Sequence, residues 1–149
     1  MRKISSIDLF AGVGGMRISL NKALKKFGLK DDCKLYSEIN HYCQQTYGAN
    51  FQNTPLLKDI KSVKVIDIKE KIPDHDILLA GFPCQPFSKA GIPNRNFLKR
   101  THGFKDKDQG NLFFNILKIL NKKKPKAFII ENVESILHPK NIIGITGAL

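Results

Sequence analysis

Ile4-Ser5-Ser6-Ile7-Asp8-Leu9-Phe10-Ala11-Gly12-Val13-Gly14-Gly15 joins a short, mostly apolar run to a cluster of glycines. The period changes at once afterwards. Met16, Leu20, Leu24 and Phe27 recur at helical spacing, with Arg17, Lys22, Lys25 and Lys26 among the polar positions. Gly28 stands where a helix ends. Strand, glycine turn and helix are the expected order.

The same unit then repeats in kind. Cys33 to Glu38 reads as a second strand and His41 to Phe51 as a helix; a weak third strand ends near Asp59-Ile60. Val63 to Lys71 reads as a short helix that Pro73 breaks, and Asp76 to Ala80 as a fourth strand, continuously apolar from Ile77. Gly81 to Gly110 is a long polar loop. Asn111 to Leu120 reads as a helix, Lys122-Lys123-Lys124-Pro125 as its solvated end and turn, and Ala127 to Ile130 as a fifth strand ending at Glu131. Such alternation predicts an α/β, Rossmann-like, mostly parallel sheet with helices on both faces. Ligands in such sheets sit beyond the carboxyl ends of the strands. Asp8 to Gly15, Glu38, Asp59, Gly81 to Ser88 and Glu131 all fall there.

Composition narrows the class. At 149 residues and 42% apolar the chain has the length of one domain with a core, burying roughly 70% of its unfolded surface. The 25 Lys+Arg against 13 Asp+Glu leave a net charge of +12, with a pI near 9.7. That excess favours a polyanionic partner. No apolar run approaches the roughly 20 residues of a membrane span, and the start shows no signal-peptide cleavage site. The cysteines Cys33, Cys43 and Cys84 are odd in number and form no C-x-x-C pair, against a disulfide framework and against zinc. A reduced, soluble, cytoplasmic protein without a metal is expected.

Gly12-Val13-Gly14-Gly15 lets the backbone approach a ligand and places a helix N-terminus beside it. A dinucleotide fingerprint would carry its third glycine at position 17, which is Arg17. A pyrophosphate cradle is disfavoured, and a phosphate-free cofactor such as an adenosyl sulfonium is left open. Glu38 lies where an acidic residue holds ribose hydroxyls in such folds, and Asp59 can accept from an adenine amino group. The same glycines would also serve a plain strand–helix turn.

Gly81-Phe82-Pro83-Cys84-Gln85-Pro86-Phe87-Ser88 sets a cysteine between two prolines on a loop leaving a buried strand. A thiol held rigid and accessible suits a nucleophile. Cys33 and Cys43, in strand and helix, read as inert.

These blocks resemble the signatures of the DNA cytosine-5 methyltransferase family. Asp8 to Gly15, Gly81 to Ser88 and Glu131-Asn132-Val133 match in order and spacing, and the stretches from Gly103-Phe104 to Phe114 and Lys124-Pro125-Lys126 are also similar. The Pro-Cys-Gln-Pro-Phe-Ser block is highly specific, whereas the glycine block alone is weak. The resemblance runs to about Val133 and implies the S-adenosylmethionine-dependent methyltransferase fold. It implies that Cys84 adds to C6 of a flipped cytosine while Glu131 holds N3. It also implies that S-adenosylmethionine lies against Phe10, Ala11, Gly12, Val13, Gly14 and Gly15. Glu38 would hold the ribose, Asp59 and Ile60 the adenine edge, and Pro83 the pocket shape. Gln85, Ser88, Lys89, Arg95 and Arg100 would face the DNA. Where the family often has Asp-x-Arg-Gly, this chain has Lys107-Asp108-Gln109-Gly110, so a cationic phosphate contact is lost at Gln109.

The resemblance implies more chain than is present. Residues 1–137 read as a partial catalytic and cofactor-binding domain, residues 138–149 as a divergent tail, and the target-recognition region as absent. Two outcomes are open: a restriction-modification methyltransferase completed by a second chain, or an inactive remnant that binds cofactor or DNA. A tRNA cytosine methyltransferase has a similar cysteine block.

Overall fold

The computed structural model describes residues 1–84 and 112–137. Five parallel strands stand in the order β3-β2-β1-β4-β5. β1 is Arg2–Leu9, β2 Leu29–Ser37, β3 Leu56–Leu57, β4 Ile77–Gly81 and β5 Ala127–Glu131. The helices are α1 (Gly15–Lys26), α2 (His41–Asn50), α3 (Ile68–Lys71) and α4 (Leu112–Lys123), with single 3-10 turns at Ile60–Ser62, Val65–Asp67 and Glu134–Leu137.

Alternation along β1 explains the two layers. Ile7 and Leu9 are fully buried with Leu78 and Ala80 of β4, against Ile68 of α3, Ile72 just beyond it, and Ile116 and Ile119 of α4. The opposite parity carries Ser6 and Asp8, register partners of Ile77 and Leu79 on β4. There Leu20 and Leu24 of α1 cover Leu79, while Tyr47 of α2 covers Tyr36. Helices therefore cover both faces, α1 and α2 one and α3 and α4 the other. Each fully buried Leu or Ile contributes about 1.5–3 kcal/mol relative to leaving it in water.

Several bounds differ from the sequence reading. β2 starts at Leu29 rather than Cys33, because Asp31 is a strand residue buried at 8% exposure and paired with Arg17. β3 is only Leu56–Leu57, because Asp59 accepts Lys61 N–H at 2.8 Å and caps a 3-10 turn instead of extending the ladder. The segment Val63–Lys71 is split, with a 3-10 turn before the four-residue α3. Phe27 follows α1 and is 78% exposed, so it leaves the buried face. α4 continues through Lys123, whose Nζ donates to Asp74 at 2.8 Å and Lys69 O at 2.9 Å, while Lys122 and Lys124 stay exposed as a solvated end.

The amino ends of the strands are tied together at Asp76. Its Oδ2 accepts from Ser5 N–H at 3.0 Å and Ser5 Oγ at 2.7 Å, its Oδ1 pairs with Lys126 at 2.6 Å, and its carbonyl accepts Ala127 N–H at 3.0 Å. Lys126 and Ser5 hold the Asp76 carboxyl well below the usual carboxylate range. β5 is different. Its Phe128 and Ile129 are 51% and 52% exposed, and among the described residues no strand pairs with its outer edge.

Candidate active site at the carboxyl ends of the strands

With every strand parallel, all five carboxyl ends open on one side. The chain leaves β1 through three left-handed residues in five: Phe10 (φ 56°), Gly12 (φ 55°) and Gly14 (φ 93°). For a bulky residue such as Phe10 this conformation costs about 1–3 kcal/mol and marks functional turns. Gly14 has no alternative: a Cβ there would collide with Phe51 Cε2 and lie 3.2 Å from Tyr47 Cδ2.

Beside this turn is a cavity of about 390 Å³, within the range of roughly 300–1,000 Å³ that ligand clefts occupy. It lies over the ends of β1, β2 and β4, where the strand order reverses. Phe10, Glu38, Asp59, Ile60 and Pro83 all line it. Ala11, Gly12, Val13, Gly14 and Gly15 are not on its wall; they form the turn beside it. Ala11 N–H bonds Ser37 O at 2.9 Å and packs with Tyr36 and Tyr47, Val13 is 51% exposed, and Gly15 begins α1.

Glu38 joins the turn to the wall. Its Oε2 accepts Gly12 N–H at 2.8 Å and its Oε1 accepts Asn40 N–H at 2.7 Å. Asn40 in turn caps α2, accepting from Tyr42 and Cys43 N–H. A carboxylate oxygen has lone pairs for more than one donor, so Glu38 keeps acceptor capacity while its aim is set by the backbone. Two acceptor carboxylates and the apolar surfaces of Phe10, Ile39 and Ile60 fit a nucleoside. These residues therefore fit the adenosyl part of S-adenosylmethionine. Ile39, 72% exposed on this wall, escaped the sequence reading, as did Lys58 and Lys61; a solvent-facing Ile after a strand carries no periodic signal.

The segments that carry Cys84 and Glu131 meet one strand over. Gly81 of β4 and Glu131 of β5 are register partners, and a Cβ on Gly81 would lie 3.6 Å from Glu131 Oε2. Cys84 follows Gly81 by three residues as a half-buried free thiol. Asn132 clasps the two exits, its Nδ2 donating to Phe82 O at 2.9 Å, while Phe82 is buried against Phe113. That clasp is a contact 50 residues apart in the chain, which no local pattern announces. Cys33 is buried, and burial pushes its thiol pKa up, away from nucleophilic use. Cys43 is a free thiol in α2. Gln85, Ser88, Lys89, Arg95 and Arg100 lie outside the described residues.

A family model described as C-5 cytosine-specific DNA methylase matches residues 4–144. The chain belongs to this methylase family. Among curated relatives it is 47% identical over 132 residues to the type II methyltransferase M.NlaX of Neisseria lactamica, covering 87% of this chain and 36% of that protein. It is 47% identical over 134 residues to M.HaeII of Haemophilus aegyptius, covering 90% and 36%. The solved S. pombe Dnmt2 methyltransferase shares the fold at a TM-score of 0.70 and 21% identity, over 99% of this chain and 40% of that one. The chain thus spans about a third of the length of its curated relatives. Among its described residues no helix is long and apolar enough to cross a membrane, and no group of three or more His, Cys, Asp or Glu could hold a metal.

Proposed function

We propose that this chain supplies the catalytic and cofactor-binding part of a cytosine-C5 DNA methyltransferase of a restriction-modification system, with S-adenosylmethionine as methyl donor. Residues 1–137 form that part, and the region that reads the DNA sequence belongs to the length of the relatives that this chain does not span. The reading places the protein in the cytoplasm with its thiols reduced. Its main support is the β4–β5 register, which sets the Cys84 segment and Glu131 at adjacent strand ends beside a cavity bearing Phe10, Glu38 and Asp59.

Cys84, as thiolate, bonds to C6 of a cytosine swung out of the duplex. Glu131 holds a proton at N3 of the ring, so the electron pair from the broken C5–C6 double bond is stabilised and C5 becomes nucleophilic. S-adenosylmethionine, when bound, would supply the methyl that C5 takes, from a sulfonium whose leaving group is a neutral thioether. Loss of the C5 proton to a base then restores the double bond and expels Cys84. Glu38 and Asp59 orient the donor through its ribose and adenine, Phe10 and Ile60 through its ring faces, and Pro83 shapes the wall they share. Gln85 and Ser88 meet the flipped nucleotide's strand, and Lys89, Arg95 and Arg100 meet phosphates.

The test is methyl transfer from labelled S-adenosylmethionine to DNA, by this chain alone and with a polypeptide carrying the remaining length of its relatives. Transfer is expected only in the mixture. It is expected to vanish with Cys84→Ser while Cys33→Ser and Cys43→Ser retain it. An active Cys84→Ser mixture would overturn the mechanism. Cofactor or DNA binding without turnover in any mixture would make the chain an inactive remnant.

A further inference from the structure

Arg17, at the position where a dinucleotide fingerprint carries its third glycine, has a side chain only 11% exposed. Its Nε donates to Asp31 Oδ2 at 3.1 Å, and Nη1 donates to Tyr47 Oη at 3.2 Å and Thr54 Oγ1 at 2.9 Å. Its Cζ stands 4.2 Å from the centroid of the Phe51 ring. The partners are themselves fixed. Asp31 accepts from Ser6 Oγ at 2.5 Å, and Tyr47 donates to Asp8 Oδ2 at 3.3 Å. Phe51 and Tyr47 are also the rings against which Gly14 rests. The Phe51 ring therefore touches the backbone of the turn and the guanidinium together.

We infer that Arg17 is a positioning residue for cofactor binding: its planar fork clamps Phe51 and Tyr47 beneath Gly14 and so fixes how the Gly12–Gly15 turn meets the cavity. This rests on the cofactor reading above. A fork is needed because one group must stack on a ring while bonding in two directions, which an ammonium cannot do. Burial of the charge is offset by Asp31, whose side chain is 1% exposed. If the rings shift, Gly14 follows, and Gly12 N–H loses its aim at Glu38.

Two amides report on this. Gly12 N–H bonds Glu38 Oε2, and Gly14 N–H bonds Ala11 O at 2.9 Å. In Arg17→Lys, which keeps the charge and loses the fork, these amides are expected to exchange about tenfold faster than the change at Leu78–Ala80, which tracks global stability. S-adenosylmethionine alone, titrated calorimetrically into the folded variant, is expected to bind about tenfold more weakly. Asp76→Asn, at the far ends of the strands, is the control: lower stability, with neither effect. If Arg17→Lys does not fold, Thr54→Val removes one anchor and is expected to give about a threefold selective change. Exchange at Gly12 and Gly14 that merely follows Leu78–Ala80 overturns the clamp. Failure of the unaltered chain to bind S-adenosylmethionine would count against the cofactor reading, and the exchange rates would still decide the clamp.

Discussion

Asp8, next to last in β1, is 1% exposed and accepts a hydrogen bond from Tyr47, and burial pushes its pKa up to about 7 from 3.8. Between those values the folded chain holds a proton that the unfolded chain has released. Stability is therefore lost as pH rises through that window, by at most about 1.4 kcal/mol per unit. Asn is uncharged, and its Oδ1 can still accept from Tyr47. Asp8→Asn is thus expected to gain on the native chain by roughly 2–3 kcal/mol between pH 5 and pH 8, read as the difference in urea unfolding free energy at the two pH values. An unchanged difference would mean that Asp8 ionises normally. His75 slopes the other way. Burial lowers its pKa, its Nε2 has no partner among the described residues, and its contribution is kept above about pH 6.5 and lost as pH falls. Being common to both proteins, it cancels. That a carboxyl with this environment sits at position 8 was not legible in the sequence. Asp8 was readable as a strand-end residue, but its partner Tyr47 comes from 39 residues away.

The turn from β1 into α1 joins two glycines that look alike in sequence and differ in structure. Gly14 has φ 93° and rests on Phe51 and Tyr47, whereas nothing lies within 4 Å of a Cβ on Gly15, the first residue of α1. Gly14→Ala is expected to cost about 2–4 kcal/mol, from left-handed strain plus overpacking. Gly15→Ala is expected to be neutral or to stabilise by up to about 1 kcal/mol, as helix propensity favours. Urea denaturation of both variants checks the contrast; equal losses would mean the turn is not packed as described. Elements with an apolar period were legible: α1 from Leu20 and Leu24, β4 from Leu78 to Ala80. The start of β2 was not, since Lys30-Asp31-Asp32 looks like solvent-facing loop until Arg17 and Ser6 are seen to satisfy Asp31. The long-range partner decided the local structure.

For the molecule as a whole, the alternation of strands and helices was enough to place the site. Once the sheet is parallel, residues far apart in sequence, such as Phe10, Glu38 and Asp59, share one rim. The open side of β5 was not legible, because Phe128 and Ile129 read as buried strand until the strand is seen to be last among the described strands of its sheet. An apolar edge of this kind templates pairing between copies. Concentration-dependent association of the isolated chain is therefore expected in sedimentation velocity at tens of micromolar, several-fold weaker in Ile129→Lys; equal association of both would place the contact elsewhere. The opposite margin behaves otherwise, since Asp76 binds β1, β4 and β5 through Ser5, Lys126 and Ala127. The sheet is thus anchored at its foot, while the candidate site lies at its crown. Hardening substitutions laid into that foot would leave the side chains that line the crown's cavity undisturbed.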